Sequence, residues 1–162
     1  MAKTLTVTRA LTFSGAFENT KDNGSVVESI EIQLTQIYSH GTGANQANEY
    51  KDDTRSVAAA SETIDLQTDL TDEFGTTLLF TSIKSITIKN LSSTSGESLT
   101  ISGNFMGSIL DATDSTHRVD AGGVWHTESP IDGYTVDATH KQLTIDPGSD
   151  TISYTLVLVG IV

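Results

Sequence analysis

The stretch "SIEIQL" constrains the fold more than any other: Ile30, Ile32 and Leu34 alternate with Glu31, Gln33 and Thr35. Side chains on a strand point to opposite faces in turn, whereas those on a helix return to one face every three to four residues. The same period of two recurs in several β-branched segments. No stretch of eleven or more residues carries apolar positions at helical spacing, so the pattern predicts an all-β chain.

The segments follow one another at short intervals. A first strand is expected over roughly residues 3 to 13, with Leu5, Val7, Leu11 and Phe13 on one face and Thr4, Thr6, Thr8 and Thr12 on the other. The turn "ENTKDNGS" holds Asn23-Gly24, a pair suited to positive φ, and leads into "VVESIEIQLTQIYS". The polar segment from about 39 to 55, "HGTGANQANEYKDDTR", lacks any period and reads as a long loop.

A third strand is expected at about 55 to 66, and one helical turn between Asp69 and Gly75. "LLFTSIKSITIKNLS" reads as a long strand whose apolar phase shifts between Ile83 and Ile86, the mark of a β-bulge or of burial on both faces. Gly96 closes a turn into "SLTISG", its expected hairpin partner, and a short strand is expected from Met106 to Leu110. "VWHTES", "GYTVDA", "KQLTID" and a strand from Thr151 complete the series, with Pro130 and Pro147 in connections. Nine or ten short strands in 162 residues predict a single β-sandwich domain, jelly-roll-like, with an antiparallel β-barrel as the second architecture.

The last strand, "DTISYTLVLVGIV", begins as an alternating strand and ends apolar on both faces. Ile152, Tyr154, Leu156 and Leu158 share one face, and Val157, Val159 and Ile161 the other. The second face needs cover, either from a neighbouring subunit or from a loop of its own domain. Val157, Val159 and Ile161, together with Leu5 and Val7 of the first strand, are therefore candidate contacts with a partner subunit.

Composition narrows the function. With no cysteine, disulfides, thiolate metal sites and cysteine nucleophiles are excluded. A formal charge of −12, with nine Lys plus Arg spread thinly, argues against a grip on nucleic-acid phosphates. No window reaches the 18 or so apolar residues of a membrane span, and no export signal is visible at the amino terminus.

No constellation of catalytic type stands out, and no cofactor is expected. His40, His117, His126 and His140 lack zinc-site spacing. The acidic groups at Asp52-Asp53, at Asp69 with Asp72 and Glu73, and at Asp111 with Asp114 do not follow the EF-hand pattern. Their expected roles are turn formation and solubility. G-x-S-x-G, P-loop and G-x-G-x-x-G motifs are missing. Trp125 adjoins Val124, so one of the two faces inward; Trp125 reads first as a core or interface aromatic, second as a sugar-stacking platform.

The second half of the chain carries a resemblance. "FGTTLLFTSIKSITIKNLSSTSGESLTISG", "VDAGGVWHTESPIDGYTVDATHKQLTID" and "DTISYTLVLVG", over roughly residues 64 to 160, resemble small all-β structural proteins of tailed bacteriophages, of the head decoration, cement or minor virion type. The resemblance implies a non-enzymatic virion protein that binds between major capsid subunits as a homo-oligomer, with a trimer favoured. It carries no site residues with it. An acidic domain suits the exterior of the shell better than a surface facing the genome. The alternative is a tail fibre or spike module binding a host receptor or glycan, with Tyr50, Trp125 and Tyr134 as stacking residues.

Overall fold

The computed structural model describes residues 4–21, 24–111 and 115–162. The chain is all-β: strands β1 (Thr6–Lys21), β2 (Gly24–His40), β3 (Gln46–Ala47), β4 (Glu49–Ala58), β5 (Glu62–Asp65), β6 (Ser82–Asn90) and β7 (Ser98–Ser102) precede a short helix, α1 (Met106–Leu110). Then come β8 (His117–Asp120), β9 (Val124–Glu128), β10 (Tyr134–Thr135), β11 (Gln142–Asp146) and β12 (Thr151–Ile161).

The body is a sandwich. One sheet runs β10-β6-β12-β4, with β9 also paired to β6, and the other runs β5-β11-β7-β8. Ile86, Ile88, Ile152, Tyr154, Leu156 and Leu158 from the first sheet meet Ile64, Leu99, Ile101, Leu143 and Ile145 from the second in one buried cluster. Each such side chain stabilises the fold by about 1.5 to 3 kcal/mol. Among the described residues the sheets do not close on themselves, so the barrel alternative is set aside.

β12 is an interior strand of its sheet, paired antiparallel to β4 on one side and β6 on the other. The phase shift between Ile83 and Ile86 is a bulge: Val159 lies opposite Ser85 and Gly160 opposite Ile83, leaving Lys84 unpaired. Lys84 is buried, and its Nζ donates to the Ile131 carbonyl at 2.8 Å. A strand of this sheet thus fastens the turn that carries Pro130.

Five expectations are corrected. The segment 39 to 55 is not one long loop, because only residues 41–45 separate β2 from β3, and β4 begins at Glu49. β4 is an edge strand whose Glu49, Lys51, Asp52 and Asp53 gain their strand conformation by pairing with apolar β12, a signal that no local pattern carries. The strand expected over 55 to 66 is split, since the chain leaves β4 at Ala58, turns at Ala59 with φ 43°, and enters the other sheet as β5.

Between Asp69 and Gly75 there is no helix. The Asp72 carboxylate accepts the N–H groups of Phe74 and Thr76, a side-chain-capped turn that replaces helical bonds. β7 crosses to the second sheet instead of pairing with β6. Met106–Leu110 is helical, placing Phe105 and Met106 in the core with Ile109 packed against it. One turn is too short to show a period.

Candidate functional site

β1 and β2 form a hairpin in unbroken antiparallel register from Thr6↔Ser39 to Lys21↔Gly24. Typical strands run five or six residues, whereas these have 16 and 17. Asn23 of the expected turn lies outside the described residues, while Gly24 opens β2 with φ 135°. From Ala10 to Thr20 and from Gly24 to Thr35 every residue is exposed. At about 3.4 Å per residue the hairpin projects roughly 35 Å as an arm.

Its two faces differ. Directly paired residues share a face, so Leu11 with Leu34, Phe13 with Ile32, and Gly15 with Ile30 line one side, ending at Phe17 opposite Glu28. The other side carries Thr8, Thr12, Ser14, Gln33, Glu31 and Ser29, with Ala10, Ala16, Val27 and Ile37 among them. The apolar side is open to solvent, with Phe17 77% and Phe13 54% exposed. A lone two-stranded hairpin is marginal in water.

The apolar side continues into a second buried cluster at the root. Tyr38, Ala47 and Val159 are buried there, with Leu5, Val7 and Tyr50 packed against them. Val159, expected as an outward contact, is therefore covered by its own chain, as are parts of Leu5 and Val7, by the root of the arm. Val157 and Ile161 are half-buried on the body. The arm beyond Ala10, absent from the sequence-level candidates, is where the large exposed apolar face lies. Strand length in a hairpin is the signal that could have located it.

A polar cluster locks the root to the body. Arg9 grips Glu128 with two donors, Nε to Oε2 at 3.1 Å and Nη2 to Oε1. Arg9 Nη1 also donates to the Leu34 carbonyl at 2.9 Å. The Tyr38 hydroxyl donates toward Glu128 Oε2 at 3.3 Å. Burial, helped by the Glu128 charge, pushes the Tyr38 phenol well above its ordinary range. His126 Nδ1 pairs with Thr87 Oγ1 at 2.8 Å, and its Nε2 lies 3.7 Å from Glu128. Burial holds the His126 imidazole below its ordinary value, the charge of Glu128 opposing this and that of Arg9 adding to it.

The sequence-level aromatic candidates are not gathered into one surface. Tyr50 packs at the arm root, while Trp125 and Tyr134 pack against the main core. The Tyr134 hydroxyl is 2.6 Å from Thr127 Oγ1, and the Trp125 ring lies 5.4 Å from that of His117. Among the described residues no group of three or more His, Asp or Glu is placed to hold a metal ion. None of their helices is long and apolar enough to cross a membrane.

No family model matches the chain, and no curated protein or solved structure matches it significantly.

Proposed function

We propose that this chain is a non-enzymatic structural subunit that works through buried area and strand pairing. Its most specific form is a decoration or cement protein of a bacteriophage head, held between major capsid subunits on the outside of the shell. The observation that carries the assembly part is the arm, a two-stranded ribbon whose one apolar face is left exposed by the described residues of its own body. Contiguous apolar surface of this extent marks interaction sites on soluble proteins. The phage part rests on the motifs of residues 64 to 160, and the exterior location on the acidic charge.

The glycan-binding alternative relied on Tyr50, Trp125 and Tyr134. Each of these packs on its own chain's core, which favours assembly over sugar stacking. Cryo-electron microscopy of intact particles tests the proposal. Density for the sandwich and its arm on the outer surface of the head is the expected result. Particles that contain the chain only in the tail, or not at all, contradict the decoration reading.

A further inference from the structure

Resting on the assembly reading, and naming the partner of the arm, we infer that its apolar face docks on the same face of another copy of this chain. Leu11, Phe13, Phe17, Ile30, Ile32 and Leu34 are between 41% and 77% exposed. At about 200 Å² per fully exposed side chain they offer roughly 600 Å² of apolar surface. Two such faces bring at most about 1,200 Å² together, the lower end of the range of specific interfaces.

Charge opposes a contact between copies least at this place. The chain as a whole is at −12, so copies repel when their bodies approach. The arm is close to neutral: Arg9 and Lys21 against Glu18, Glu28 and Glu31 leave its described residues at −1. From Leu11 to Gly15 on β1 and from Ile30 to Leu34 on β2 the apolar face holds no charged side chain, and Glu28 opposite Phe17 borders it. When two arms stack antiparallel, their length of about 35 Å keeps the bodies several Debye lengths apart, since that length is about 8 Å at physiological salt.

Shape points the same way. Gly15 sits between Phe13 and Phe17, and a Cβ built on it meets nothing within 4 Å. The face therefore presents two aromatic knobs and one notch, the elements that a self-complementary surface needs. Stacking such faces makes a small sandwich, with each arm the second layer of another.

Light scattering and a spin label test the inference on the full chain. The expected mass is twice 17.2 kDa, unchanged when salt is raised. Phe13→Ser with Phe17→Ser is expected to return the monomer mass while the thermal transition of the body persists. Ala16→Ser with Val27→Ser, on the opposite face, is expected to keep the assembled mass. The cysteine-free chain allows a nitroxide on Ser14→Cys, on the opposite face, expected to report copies within about 30 Å, as sheets stacked about 10 Å apart with a label on each outer side require.

A wild-type monomer at all concentrations overturns the inference, as does an assembly that survives the double phenylalanine change. Label distances longer than the arm overturn it too. A monomer that still decorates phage heads would overturn the inference and leave the proposed function intact. An arm-linked assembly never found on particles would do the reverse.

Discussion

Arg9 and Glu128, separated by 119 positions in the chain, are joined at the arm root with Nε to Oε2 at 3.1 Å. Both side chains are about one-fifth exposed, so the pair is only partly screened by solvent. Tyr38 completes the contact from the second strand of the arm. Removing either charged partner leaves the other with an unmet demand in a half-buried place.

A double-mutant cycle on Arg9→Ala and Glu128→Gln is expected to give a coupling of about 1 to 3 kcal/mol by urea unfolding. Strict additivity of the two changes would show that the pair does not hold the root.

The root also predicts a dependence on pH. Because His126 has a folded pKa below its ordinary 6.5, the unfolded chain binds more protons than the folded one between those two values. Its contribution to stability is therefore complete above about pH 6.5 and is lost as pH falls through the folded value. Urea midpoints measured from pH 8 to 5 are expected to fall more for the wild type than for His126→Gln. Parallel profiles would remove His126 from the acid response.

Two glycines are expected to behave oppositely. A Cβ on Gly160 would lie 2.5 Å from the Ser82 carbonyl oxygen and 2.9 Å from the Phe80 ring. Gly160→Ala therefore forces backbone to move beside the bulge and is expected to cost about 1 to 3 kcal/mol. Gly15→Ala meets open space on the arm and is expected to change stability by less than about 1 kcal/mol. Equal unfolding midpoints for the two variants would contradict this packing.

Much of the fold was legible in the spacing of apolar residues. The alternation of Ile30, Ile32 and Leu34 marks β2, and the lost phase between Ile83 and Ile86 marks the bulge at Lys84. The two faces of β12 were also readable, since Leu156 and Val159 carry their burial in their own chemistry. Asp52 and Asp53 hid β4, because an edge strand takes its conformation from its neighbour.

The arm was harder to read for a different reason. Alternation says that one face is apolar, but not whether a body covers it, so Val7 at the root and Phe13 beyond it look alike in sequence. Arg9, set between Val7 and Leu11 on the apolar face, was the usable clue. A guanidinium in that position needs a carboxylate, and nothing in the sequence says that it is Glu128.

Hydrogen exchange along the arm, followed by mass spectrometry as the full chain is diluted, tests most directly whether this ribbon is an assembly surface. The expected result is slow exchange across Thr6–Lys21 and Gly24–His40 at high concentration, giving way to fast exchange beyond Ala10 on dilution while β12 stays protected. Exchange in the arm that is equally fast at every concentration would contradict it.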